Sequence, residues 1–169
     1  THLGLGEQEL ARGRDARPAH AKALADLDEA LRQNPEFVGA FANRGLAWQG
    51  FGDAEQAAGK SPLESYRKAI ADFGEAIRLR PEDASLFYNR AYARFAKGDR
   101  NGALADYTEA IRLRPQFAEA YANRAGIRII TGDLDGAAAD LRKALEVAPP
   151  DWSYARSVKE RLKELESRR

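Results

Sequence analysis

A chain of 169 residues with 27 Lys and Arg against 26 Asp and Glu has a formal net charge of +1, which excludes a nucleic-acid binder held by its overall field. Cysteine is absent, so disulfides and thiol catalysis are excluded, and no run approaches the ~18 consecutive apolar residues of a membrane span. At 44% hydrophobic content a chain of this length makes one domain with a continuous core. No secretory signal is visible; Thr1 at the start and the lack of methionine read as a piece excised from a longer protein. The compartment stays open, leaning toward the cytoplasm.

In chain order, residues 4–37 hold a weak first helix within 4–16 and a good second one carrying Ala23, Leu27, Ala30 and Pro35. Residues 38–83 give Phe41, Arg44-Gly45 and Trp48, then Ala69, Phe73, Ala76 and Pro81. Residues 84–117 give Phe87 and Ala91, a break at Gly98-Asp99, then Ala103, Tyr107, Ala110 and Pro115. Residues 118–151 repeat this with Tyr121 and Ala125, Gly132-Asp133, then Ala137, Leu141, Ala144 and Pro149. Each unit reads as two helices of roughly 13 residues joined by a glycine turn. Residues 152–169 carry one apolar stripe, Val158, Leu162 and Leu165. Lys159, Arg161, Lys163 and Glu164 are on the other side, as in a capping helix with a charged face to water.

The units recur in step. Asn89-Arg90 and Asn123-Arg124 lie 34 residues apart, as do Pro81, Pro115 and Pro149, and Asp72, Asp106 and Asp140. Between Asn43 and Asn89, and between Pro35 and Pro81, the interval is 46, so 12 residues are inserted, placed at 54–65. Within them Ser61-Pro62-Leu63-Glu64 has the order of a helix start: Ser cap, Pro first, Glu three after the cap. It predicts a second helix over 62–80, one added helical turn at 54–58, and otherwise an exposed loop. Ser61-Pro62 also fits a phosphorylation motif, though on two residues alone.

An aromatic, a small or Arg-Gly pair, then Ala, Phe or Tyr and a closing Pro at a period of 34 resembles the tetratricopeptide repeat. The resemblance covers about residues 4–151. It is degenerate in the first unit, where Glu7 stands in the aromatic place and Arg14 in the Tyr or Trp place, while Leu10-Ala11 still match. It implies an all-α fold: a right-handed α-solenoid of four helix-turn-helix repeats plus a C-terminal capping helix. It also implies that first helices line a concave face and second helices a convex one.

Opposite charges recur beside the core: Asp26, Asp72, Asp106 and Asp140 in second helices, Arg44, Arg90 and Arg124 in first helices. These residues read as structural ion pairs that set repeat register. They can close within repeats (Arg44–Asp72, Arg90–Asp106, Arg124–Asp140) or between neighbours (Asp26–Arg44, Asp72–Arg90, Asp106–Arg124). The second is preferred, because the first unit keeps its Asp yet lacks the Arg.

On the inward side of the first helices the resemblance places a peptide-binding set: Asn43, Leu46, Tyr88, Asn89, Tyr92, Phe95, Asn123 and Ile129. Tyr88, Tyr92 and Phe95 share one stripe, flanked by Gly39, Ala42, Ala122 and Gly126. The stripe is either an accessible anchor or packing against neighbouring first helices. The Asn residues either clamp a peptide backbone or satisfy their own array. Repeats that grip the carboxylate tail of heat-shock chaperones need Lys and Arg beside the Asn. Here those places hold Gln8, Arg12, Ser85 and Asn89, or Ala42, Leu46, Glu119 and Asn123 one repeat on, which argues against that ligand.

Nothing points to catalysis. His2 and a solvent-facing His20 do not assemble a metal site, Gly4-Leu5-Gly6 lacks the third glycine and the strand of a nucleotide loop, and no nucleophile has a base beside it. The expected function is a non-catalytic scaffold for a protein or peptide, with no cofactor, metal, nucleic acid or membrane insertion. The alternative is a structural or self-association module, homodimeric or packed on another domain of its parent.

Overall fold

The computed structural model describes residues 17–167. They form helices α1 (Arg17–Gln33), α2 (Val38–Ala57), α3 (Leu63–Leu79), α4 (Ala84–Lys97), α5 (Arg100–Leu113), α6 (Ala118–Thr131), α7 (Leu134–Val147) and α8 (Ala155–Ser167), and no strand. The first helix expected within residues 4–16 lies outside the described residues. Each helix packs on the one before and the one after, which is the contact pattern of a solenoid of antiparallel hairpins.

The hairpins follow from local chemistry. Asp99 and Asp133 cap α5 and α7, accepting from the amides of Gly102 and Gly136 at 2.9 Å. A side chain at Gly102 or Gly136 would overlap the cap carboxylate, so cap and glycine belong together. Gly98 and Gly132 end α4 and α6 with φ of 97° and 84°, the left-handed conformation glycine adopts freely. Arg80, Arg114 and Ala148 leave the helical region directly before Pro81, Pro115 and Pro149, as the proline ring requires.

Packing between paired helices matches small against large. The Phe73 ring is fully buried and lies where a Cβ on Gly45 would come within 2.7 Å of it. Ala91 and Tyr107 share one buried cluster, Ala125 and Leu141 another, at the corresponding positions. Backbones approach closely at the small residue and the ring fills the hole beside it.

The inserted residues extend the helices on both sides, as the expected turn at 54–58 and long second helix over 62–80 require, and only the capping residue differs. The helix α2 runs to 20 residues where α4 and α6 have 14, and α3 to 17 where α5 and α7 have 14, so most of the insertion lengthens both helices. Ser61 is not the cap: Pro62 is at that position without a side-chain bond, because proline has no acceptor to offer, and Glu64 pairs with Arg67 at 2.6 Å instead of turning back. The extension is packed. Tyr66 is fully buried with its hydroxyl donating to Asp53 at 2.6 Å, and the Ser65 hydroxyl donates to Glu55 at 2.6 Å. Within the insertion, residues 56–61 form the longest exposed stretch.

At the far end Val158 and Leu165 of α8 bury against Ala125, Leu141, Ala144 and Trp152. The Trp152 indole donates to Glu119 at 2.9 Å and fixes the turn into the cap. Among the described residues no helix is long and apolar enough to cross a membrane.

Candidate binding groove

The recurrent charges pair within repeats, which corrects the preference for neighbouring ones. Arg44 forks onto Asp72 at 2.6 and 2.9 Å, Arg90 onto Asp106 at 2.8 and 2.9 Å, and Arg124 onto Asp140 at 2.7 and 2.9 Å. Asp26 is exposed, and the carboxylate of the preceding unit that reaches Arg44 is Asp28, at 2.7 Å. Asp72, Asp106 and Asp140 are 3–5% exposed, so the forks hold carboxylates that would otherwise be buried and poorly solvated. The hydrogen bond to Asp72 raises the Arg44 pKa and keeps the guanidinium charged.

Two further arginines take part. Arg94 and Arg128, one helical turn past Arg90 and Arg124, reach Asp106 and Asp140 at 2.8 Å. They also donate to the carbonyls of Gly102 and Gly136 at 3.2 and 3.1 Å, tying each hairpin turn to its buried carboxylate. Trp48 stands at the corresponding place in α2, with the Lys68 ammonium 4.1 Å from its ring centre. His20 is buried, not solvent-facing; its ring lies 2.5 Å from where a Cβ on Gly50 would be, so the glycine makes room for it. Among the described residues no three His, Asp or Glu are grouped as a metal site.

The first helices lie side by side. The Asn123 amide of α6 donates to the Tyr88 hydroxyl of α4 at 3.0 Å, and the Tyr92 hydroxyl of α4 donates to Asp53 of α2 at 3.3 Å. Of the eight residues expected to bind peptide, Tyr92, Phe95, Asn123 and Ile129 line one cavity of about 330 Å³. Its remaining wall is Tyr107, Ala122, Gly126, Ile127, Ile130 and Arg161. Phe95 and Ile130 are 38% and 55% exposed at its rim.

The other four are elsewhere. Tyr88 packs edge-on against Tyr107 at 5.6 Å and tilted on Phe117 at 4.8 Å, so it serves the array, and Asn123 spends its amide on Tyr88. Leu46 packs onto the cluster of Ala69, Phe73 and Ala93. Asn43 is exposed and Asn89 half-buried on the flank of the first helices. Burial first, then the Asp53 carboxylate, pushes the Tyr92 hydroxyl up to about 12. Both cavity tyrosines, Tyr92 and Tyr107, therefore stay neutral donors at ordinary pH.

Gly126 is what leaves the cavity open. A Cβ there would meet nothing within 4 Å, whereas the same register in α4 holds Tyr92 and in α2 holds Leu46. Arg161 is exposed, as expected of the charged face of α8, and from there it also lines the cavity. Periodicity offers no cue for this residue, because α8 has no sibling.

A model described as TPR repeat matches residues 63–98 and 91–128, and one described as Tetratricopeptide repeat matches 118–151. No curated protein sequence matches the chain. Among solved structures, TTC0263, a thermophilic TPR protein in Thermus thermophilus, is similar at a TM-score of 0.66 and 22% identity, over 97% of this chain and 96% of that one. The first TPR of Spaghetti (RPAP3), bound to the HSP90 peptide SRMEEVD, is similar at 0.57 and 22% identity, over 75% of this chain and 93% of that one. The Yersinia enterocolitica type III secretion chaperone SycD, in complex with a peptide of the translocator YopD, is similar at 0.61 and 17% identity, over 72% and 91%. At these identities the likeness is one of fold, and the fold is the right-handed α-solenoid. With family models spanning more than half of its length, the chain belongs to the tetratricopeptide repeat family.

Proposed function

We propose that the protein is a non-catalytic scaffold that holds a protein segment or peptide in the groove between α4, α6 and α8. Residues 17–151 act as one array, closed by the cap. The observation that carries this is the open cavity of about 330 Å³, walled mainly by apolar side chains with Asn123 and Arg161 as its polar and charged members. An exposed apolar patch with a few placed polar groups is suited to a partner rather than to chemistry. Two solved relatives in fold, the RPAP3 and SycD structures, each carry a peptide.

Gly126→Leu tests the reading, because a Cβ at this position meets nothing within 4 Å and the side chain beyond it is directed to fill the groove. Peptides selected on the wild-type protein from a displayed random library are expected to lose binding to this variant while its helicity stays unchanged. Phe95→Ala removes an exposed rim ring and is expected to weaken the same peptides. Peptides that bind both variants as tightly as wild type would place the function elsewhere.

A further inference from the structure

We infer that Arg161 of the capping helix reads an acidic side chain of the bound segment, so that the groove selects peptides carrying a carboxylate next to an apolar anchor. This rests on the proposed peptide-binding role of the groove and adds the chemistry of its occupant.

A second cavity, of about 200 Å³, adjoins the first across Ala122, Gly126 and Ile129, and runs toward Leu141, Ser157 and Val158. Arg161 lines both and, among the described residues, is the only charged one lining either. The two cavities share Ala122, Gly126, Ile129 and Arg161 and form one trough over the bare backbone of Gly126, with the Arg161 cation beside it. Apolar walls accept an apolar side chain of the guest, and the cation fixes which charge stands beside it.

Arg161 is also poised for a new partner. The arginines of α4 and α6 are committed within their hairpins: Arg90, Arg94, Arg124 and Arg128 are held by buried Asp106 and Asp140 at 2.7–2.9 Å. Among the described residues Arg161 has Glu164, at 3.9 Å, with both side chains about three-fifths exposed, 58% and 60%. A contact that long and that wet holds the guanidinium weakly. Most of its fork of donors faces water and can take a carboxylate bidentately once a guest excludes solvent. The choice of an acidic rather than a basic or neutral neighbour follows from that one weakly compensated charge.

Two synthetic peptide pools test this, each built round a central Leu or Phe, one with Glu and one with Lys at the flanking positions. They are titrated onto wild type, Arg161→Gln and Arg161→Glu, with Gly126→Leu as the blocked groove. The Glu pool is expected to bind wild type about tenfold more tightly than the Lys pool, to lose that margin in Arg161→Gln, and to fall behind the Lys pool in Arg161→Glu. Arg161 is exposed on the cap and outside the buried clusters, so both variants are expected to keep wild-type helicity. An unchanged ranking in Arg161→Glu, with binding still abolished by Gly126→Leu, would overturn the role of Arg161 and leave the groove as the binding site. Failure of both pools, or binding insensitive to Gly126→Leu, would overturn the peptide reading and this one with it. A concentration-dependent dimer in wild type that disappears in Gly126→Leu would mean that a second copy fills the trough, which also overturns it.

Discussion

The second hairpin, α2 with α3, and the two that follow it meet the same structural demand with opposite charge. In α4/α5 and α6/α7 one buried Asp lies between two arginines: Asp106 between Arg90 and Arg94, Asp140 between Arg124 and Arg128. In α2/α3 one arginine lies between two carboxylates, Arg44 between Asp72 and Asp28, and Trp48 replaces the second arginine. The constant element is the planar fork of guanidinium on carboxylate; the sign of its surroundings is free to change. A fork fixes the rotation of one helix against its partner, which is what a repeat needs to keep register.

Removing the buried carboxylate is expected to separate these hairpins most widely. Asp106→Ala leaves Arg90 and Arg94 without their shared counter-charge and is expected to cost about 3–5 kcal/mol. Asp72→Ala leaves Arg44 still paired with Asp28 and is expected to cost roughly half of that. Urea unfolding of both variants at neutral pH gives the ranking, and an equal or reversed order would mean that the charge balance is not what distinguishes the hairpins. A double-mutant cycle of Arg90→Ala with Asp106→Ala should show coupling, and one of Arg90→Ala with Asp72→Ala should not.

Glycine substitutions sharpen the same contrast. Gly45→Ala drives a methyl group into the ring of Phe73, with contacts of 2.7–2.9 Å, and is expected to destabilise by about 1–3 kcal/mol. The third and fourth hairpins hold Ala91 and Ala125 at this place without penalty, so the cost belongs to the Phe73 ring seated against Gly45. Gly126→Ala is the reverse case: a mid-helix glycine facing open space, whose replacement should stabilise by about 0.5–1 kcal/mol. Thermal melts of the two variants are expected to move in opposite directions, and a loss in Gly126→Ala would mean that its surroundings are tighter than the open groove requires.

The hairpins are legible in the sequence because their ends are written in residues with one conformational use: Gly98 and Gly132 after first helices, Asp99 and Asp133 as caps, prolines after second helices. The pairing of charges is not legible, for a metric reason. Arg90 is 16 residues from Asp106 and 18 from Asp72, separations too alike for the sequence to choose between them. Arg94 and Arg128 can be found by the same reasoning, since they recur at the same interval one turn beyond Arg90 and Arg124. Tyr88 and Tyr92 share a stripe, yet Tyr88 meets Phe117 from the turn before α6, while Tyr92 faces Gly126 and keeps its space. Which aromatic stays accessible depends on the residue opposite, and that is set by stacking rather than by the helix that carries it. In the inserted residues Ser61-Pro62 marks the helix start to within one residue but misassigns the cap, which is Pro62. What decides the helix ends is the burial of Tyr66 against Asp53, a contact across the hairpin.

That same Asp53 joins the second hairpin to the third, and the smallest expected effect tests the joint. Tyr92 donates to Asp53 at 3.3 Å while Tyr66 donates to it at 2.6 Å, so the Tyr92 bond is the weaker of two on one acceptor. Tyr92→Phe keeps the ring in the groove wall and is expected to cost about 0.5–1 kcal/mol at neutral pH. Its pH dependence carries the sharper signature. The Tyr92 hydroxyl is raised to about 12, by burial first and by Asp53 second, from the ordinary value of 10. A group raised on folding binds its proton more tightly in the native state, so its contribution is complete below the unfolded value. That contribution is lost as pH climbs from about 10 to about 12. Wild type should therefore lose stability across that window more steeply than Tyr92→Phe, with Tyr66 and Tyr107, which are also raised, giving both proteins a common background slope. Parallel curves for the two proteins over that window would mean that Tyr92 is hydrated, that its bond to Asp53 is not formed in solution, and that the long α2 is not fastened to α4 through this acid.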